Sequence, residues 1–216
     1  MPRPDLADIT IVLDRSGSMA SVVGDTIGGF NRFLEDQKNA PGEAALTLVQ
    51  FDNVYESVHD AVRIQEVPLL TTQTFVPRGS TALLDAIGRA VDETGRRLEA
   101  RPEADRPAKV IVVIVTDGQE NSSHEYSLAR INEMISRQRD TYSWEFVFLG
   151  ANQDAIATAS SMGIMTANAM SFAHNSVGTS KAFAATSGNI LRSRSGGVAS
   201  YSTEQRDDQK KAGASH

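Results

Sequence analysis

The stretch DITIVLDRSGSM, residues 8–19, sets an apolar run of strand length directly against an aspartate and two serines. Ile9, Ile11, Val12 and Leu13 lack the polar alternation of a half-solvated strand, so the segment is expected to be buried on both faces. A strand of that kind needs helices above and below its sheet. Similar runs follow at ALTLVQF (45–51), KVIVVIVT (109–116) and WEFVFLG (144–150). Between them, Val23, Ile27, Phe30 and Leu34 recur at helical spacing over 22–37, and Leu83, Leu84, Ile87, Ala90, Val91 and Leu98 do so over 82–99. Leu128, Ile131, Met134 and Ile135 mark a helix over 127–139, and 153–162 can form a shorter one. Strands alternating with helices predict an α/β fold, doubly wound around a mostly parallel central sheet with helices on both faces.

Residues 45–63, ALTLVQFDNVYESVHDAVR, differ from the rest. Two period-2 runs joined at FDN read as a hairpin, which adds one antiparallel edge strand. GIMTANAMSF (163–172) reads as a last short strand. A final helix over about 176–193 would use Val177, Phe183, Ala184 and Ile190 or Leu191. From Ser195 to His216 the chain is polar, small and of mixed charge, so residues 1–194 are expected to form the domain and 195–216 a disordered tail.

A chain of 216 residues with 40% hydrophobic side chains suits one domain with a proper core. Its formal net charge of −6 argues against a binder of the phosphate backbone, so no nucleic acid is expected. With no cysteine, disulfides and thiolate chemistry are excluded. The opening MPRPDLADI lacks the apolar core of a secretory signal, and no stretch reaches the 18 or so uninterrupted apolar residues of a membrane span. The expectation is a cytoplasmic protein with no membrane association.

Asp14 stands where the first buried strand ends, and in open α/β sheets ligands bind beyond the carboxyl ends of the strands. Three such loops carry matching chemistry. The first holds Asp14, Ser16 and Ser18, the second is RGSTALLDAIG with Thr81, and the third is VTDGQENS with Asp117. All offer oxygen and none sulfur or imidazole, the donor set of a hard cation such as Mg²⁺ or Mn²⁺. In an extended turn, residues 14, 16 and 18 share one side while Arg15 and Gly17 face away. The competing structural reading is that Asp14, Ser18, Ser80 or Thr81 simply cap free backbone amides.

DITIVLDRSGSM, PRGSTALLDAIGRAV and VIVVIVTDGQEN resemble the three signature segments of the von Willebrand factor type A (vWA) domain, a Rossmann-like fold with a metal ion-dependent adhesion site. The likeness spans roughly residues 6 to 192. It implies direct metal binding by Ser16 and Ser18, direct or water-mediated binding by Thr81, and water-mediated binding by Asp14 and Asp117. It further implies that a protein partner supplies an aspartate or glutamate carboxylate to the ion, and that the last helix (about 176–193) can slide when the coordination changes. Since a cysteine pair, a signal segment and an anchor are missing from the reading, the resemblance points to the intracellular members, which serve as assembly or regulatory subunits.

An enzymatic alternative is a Mg²⁺-dependent phosphohydrolase with Asp14 as nucleophile. Such enzymes resemble D-x-D-x-[TV], in which the second acid works as general acid or base. Ser16 stands in that place and cannot do that work. DRSGS lacks the flanking glycines of a nucleophile elbow, and VGTSKA lacks the Gly-Lys pair of a phosphate loop. His59, His124 and His174 are scattered without metal-ligand spacing and are expected to be solvated or capping. Arg78, Gln119, Glu120 and Asn121 are expected on the rim of the site, while Trp144, Met134, Met162, Met165 and Met170 are expected to pack in the core.

Overall fold

In a computed structural model, which describes residues 1–151 and 154–214, the apolar run around Ile9 is part of a twelve-residue strand, β1 (Arg3–Asp14). A short 3₁₀ turn over Gly17–Val22 leads into α1 (Val23–Lys38). The hairpin follows as β2 (Glu43–Phe51) and β3 (Tyr55–Arg63), turned by Asp52, whose Oδ1 accepts the Val54 N–H at 2.6 Å. Then come α2 (Leu83–Glu99), β4 (Pro107–Thr116), α3 (Leu128–Tyr142), β5 (Glu145–Ala151), α4 (Ala155–Ser161), β6 (Ala169–Phe172), α5 (Ser176–Arg194) and α6 (Thr203–Gly213). The expected helix over 153–162 begins at a residue outside the described ones.

The six strands lie in the order β3-β2-β1-β4-β5-β6, and every neighbouring pair is parallel except β2 with β3. The mostly parallel sheet with one antiparallel edge is the arrangement the apolar runs predicted. β1 is central because its continuous apolar run can be covered on both faces. Ile9, Ile11 and Leu13 pack with Phe30, Phe33 and Leu34 of α1 and Phe183 and Ile190 of α5. Val12 turns the other way, into a second core with Leu83, Ile87 and Val91 of α2, Ile131 and Ile135 of α3, and Ala155 and Ala159 of α4. Thr10 also faces α2, where its hydroxyl lies 3.2 Å from that of Thr94. On the first face α1 and α5 approach closely at Gly29, where a Cβ would sit 2.4 Å from the Phe183 ring.

Three details depart from the expected pattern. Leu128, Val177 and Ala184 are exposed, so the buried stripes of α3 and α5 are narrower than their periodicity suggested, and Met165, in the loop after α4, is exposed rather than in the core. α5 instead buries Thr179, Thr186, Ser187, Asn189 and Ser193, because its polar groups find partners: Ser187 Oγ donates to Asp36 at 2.8 Å and Ser193 Oγ to Glu145 at 2.7 Å. The largest correction concerns 195–216. The expected disordered tail is ordered over 195–214, with Ser215 and His216 outside the described residues. Ala199, Tyr201, Gln209 and Ala212 are buried there. Its hydrophobic content is low, but α6 is nucleated by a capping box, in which the Ser202 hydroxyl accepts the Gln205 N–H and the Gln205 side chain accepts the Ser202 N–H. The Tyr201 hydroxyl lies 2.7 Å from Thr186 Oγ1, and Gln209 spends its amide on two backbone groups.

Candidate functional site

The strand order changes direction at β1, which lies between β2 and β4, and the crevice of an open α/β sheet forms beyond such a switch point. Register places Asp14 and Thr116 at the ends of neighbouring strands: Leu13 pairs with Val115, one residue before each. Asp14 is fully buried. Its Oδ1 accepts the Ser16 N–H at 2.6 Å, and its Oδ2 accepts the Thr116 hydroxyl at 2.5 Å. The first loop therefore folds back over its own aspartate, which sets the Ser16 and Ser18 hydroxyls side by side at 3.0 Å.

Ser18 then donates to Asp117 Oδ1 at 2.5 Å, joining the first loop to the third. The second loop is bound to both. Gly17 N–H donates to Gly79 O at 3.1 Å, and Arg78 N–H to Arg15 O at 2.8 Å. On its other side, Thr81 N–H donates to Asn121 Oδ1 at 2.9 Å, while Asn121 N–H returns to Thr81 O at 3.1 Å. Gly118 passes so close to Thr81 that a Cβ there would lie 2.6 Å from Thr81 Oγ1 and 3.5 Å from Asp14 Oδ2. The five residues singled out in the sequence thus share one cluster. Ser18 is exposed while Ser16, Thr81, Asp14 and Asp117 are buried, so the cluster opens to solvent on the Ser18 side.

Its electrostatics are unusual. Burial pushes the Asp14 carboxyl up to about 6, against the hydrogen bonds from Thr116 and Ser16, and the neighbouring Asp117 pushes the same way. Asp117 is itself raised by burial, opposed by the Ser18 hydrogen bond and by His174. His174 Nε2 lies 2.9 Å from Asp117 Oδ2, near enough for an ion pair but out of line for a hydrogen bond, and neither atom has another hydrogen-bond partner. Two buried carboxylates at one opening, with an Asp117 oxygen short of a donor and three hydroxyls beside them, fit a hard divalent cation. Among the described residues no three His, Asp or Glu side chains gather tightly enough to hold an ion alone, so hydroxyl oxygens would have to complete the donor set.

Several neighbours have structural roles. Arg15 does point away, burying its guanidinium against Asp52 at 3.0 Å and reaching Glu56 at 2.6 Å. Arg78 stays on the exposed rim, held to the same Asp52 oxygen at 3.0 Å. Glu120 folds inward, accepting the Ser122 and Ser123 N–H groups and, at 2.9 Å, the Leu84 N–H in the first turn of α2. His124 donates its N–H to Asp85 at 2.8 Å. Two members of the cluster were not expected from the sequence, Thr116 and His174. Thr116 directly precedes Asp117, and His174 follows the end of β6, so the strand-end rule that selected Asp14 also covers them. His174 is corrected accordingly: it is two residues past β6, with its side chain mostly buried against Asp117.

A family model described as von Willebrand factor type A domain matches residues 8–186. Similar folds occur in the proximal thread matrix protein 1 of the mussel byssus, in a structure described as having a zinc-occupied MIDAS motif (17% identity, TM-score 0.58, covering 86% of this chain and 46% of that one). The pilus adhesin SpaC of Lactobacillus rhamnosus GG, in its open conformation, is also similar (14% identity, TM-score 0.59, 87% and 30%). So is a von Willebrand factor type A protein of Catenulispora acidiphila (14% identity, TM-score 0.56, 87% and 43%). The chain spans less than half the length of each of these structures. No curated protein gives a significant match to the sequence.

Proposed function

Because the chain belongs to the von Willebrand factor type A domain family, we propose that it is a divalent-metal-dependent protein-interaction module whose metal ion-dependent adhesion site consists of Asp14, Ser16, Ser18, Thr81 and Asp117. The observation that carries this reading is the convergence of three loops at the β1 and β4 ends: Ser18 bonded to Asp117, Thr116 bonded to Asp14, and Gly118 laid against Thr81. Bound Mg²⁺ or Mn²⁺ would supply an electrophilic position that a partner's aspartate or glutamate completes. The chain's own part is to hold the donors in place. Asp14 orients the first loop through the Ser16 amide, the two serines turn their hydroxyls to one side, and exposed Ser18 marks where a partner carboxylate approaches.

The similarity to a mussel protein with a zinc-occupied site of this kind favours a divalent ion here. The cysteine-free composition fits an assembly or regulatory subunit of the cytoplasm. The phosphohydrolase alternative finds little support, because a nucleophilic Asp14 needs a free, accessible oxygen, whereas both its oxygens accept hydrogen bonds and the side chain is enclosed. Among the described residues no helix is long and apolar enough to cross a membrane.

Calorimetric titration tests the reading. Mg²⁺ or Mn²⁺ should bind the native chain, and Ser16→Ala or Thr81→Ala should weaken binding at least tenfold; unchanged binding in both variants would overturn the site. A pull-down from the source organism with and without EDTA should recover a partner only when metal is present.

A further inference from the structure

The donor set inferred from the sequence contains only oxygen, but the fold adds a nitrogen. From the geometry around Asp117 we infer that His174 is a further ligand of the bound ion, supplying Nε2 and shifting the site's preference from Mg²⁺ toward Zn²⁺. The inference rests on the metal-site reading above.

Three observations support it. First, the side chains run in an unbroken line, with Ser16 Oγ 3.0 Å from Ser18 Oγ, Ser18 Oγ 2.5 Å from Asp117 Oδ1, and Asp117 Oδ2 2.9 Å from His174 Nε2. Adjacent donors around an ion with bonds of about 2.1 Å lie about 3 Å apart, so the Asp117 and His174 atoms already stand at the separation of neighbouring ligands. Second, Nε2 and Oδ2 are both buried and neither has a hydrogen-bond partner, although they are within reach of each other. A pair of acceptor-capable atoms enclosed without donors is better satisfied by a shared cation than by its own misaligned contact.

Third, His174 is held in place. The preceding residue, Ala173, donates its N–H to Gln209 Oε1 at 3.2 Å, and the following one, Asn175, donates its side-chain amide to Ala212 O at 3.0 Å. Asn175 Oδ1 also caps α5 by accepting the Gly178 N–H at 2.8 Å. The histidine is therefore clamped on both sides by α6 and α5, which reduces the conformational freedom lost when it binds an ion. Imidazole suits Zn²⁺ and other borderline ions, whereas Mg²⁺ takes oxygen and keeps its waters. One nitrogen donor thus favours zinc selectively.

Mn²⁺ is the spectroscopic probe. Pulsed electron paramagnetic resonance of the Mn²⁺-loaded chain should show the ¹⁴N coupling of a directly bound imidazole, and His174→Gln and His174→Ala should both abolish it. In calorimetry the same variants should lose at least tenfold in Zn²⁺ affinity while Mg²⁺ affinity stays within twofold. Mn²⁺ bound without ¹⁴N coupling, coupling that survives in the variants, or equal losses for the two ions would overturn the role of His174 and leave the oxygen site standing. Failure of the native chain to bind Mn²⁺ or Zn²⁺ at all would overturn the underlying metal site, and this inference with it.

Discussion

Asp14 shows how a single residue can be kept at a cost to stability. Its carboxyl is raised to about 6 by burial, so at neutral pH the folded chain holds a charge that water would solvate better. The sign follows directly. Between the ordinary carboxylate range near 4 and the raised value near 6, the folded state binds more protons than the unfolded one, so this group's contribution to stability falls as pH rises through that window. Asparagine at position 14 keeps the acceptor for the Ser16 amide, and its amide can donate to Thr116 Oγ1, whose own hydrogen can turn to Gly118 O at 3.1 Å. Metal-free Asp14→Asn should therefore be more stable than the native chain by roughly 1–3 kcal/mol at pH 7, with the difference shrinking toward pH 4. Thermal melts across pH check this, and a flat difference would contradict it. The same variant should lose divalent-ion binding.

At the scale of elements, the packing of α1 on α5 and the docking of α6 make separable predictions. Gly29→Ala would drive a methyl into the Phe183 ring, so it should destabilise the fold by about 1–3 kcal/mol in urea unfolding while leaving metal affinity within twofold. Tyr201 lies outside every strand and helix but is buried beside Thr186, and Tyr201→Ala should cost about 3 kcal/mol. A disordered segment would show no change in the same measurement. The apolar strands were legible in the sequence because burial on both faces demands an unbroken run, as in β4 from Val110 to Val115. α6 was not legible, because it is held by a cap and a few small or amide side chains, which leave no periodic signal.

For the whole molecule, cores on the two faces of the sheet hold the site loops beyond the carboxyl ends of the central strands β1 and β4, so binding of a metal there would be linked to global stability. An ion present at a hundred times its dissociation constant adds about 2.7 kcal/mol, which for a chain of this size is about 5–10 °C in melting temperature. EDTA should lower the melting temperature of the loaded native chain by about that amount and that of Ser16→Ala by no more than about half as much, since a tenfold weaker site at the same ion concentration adds only about 1.4 kcal/mol. Calorimetry with and without chelator provides the check.

The linear sequence was enough to establish the doubly wound sheet, its antiparallel edge and the oxygen-rich loops of Asp14, Thr81 and Asp117, since each depends on short-range patterns: unbroken apolar runs and donors spaced two residues apart. The placing of His174 against Asp117, 57 residues earlier in the chain, was settled by the fold alone. So was the clamp of Gln209 and Ala212 on the loop that carries it. Those contacts arise from parallel strand pairing and from a C-terminal helix folding back onto β6 and α5. Such long-range closure leaves no trace in local periodicity, because the residues that meet are chosen by topology rather than by their neighbours in the chain.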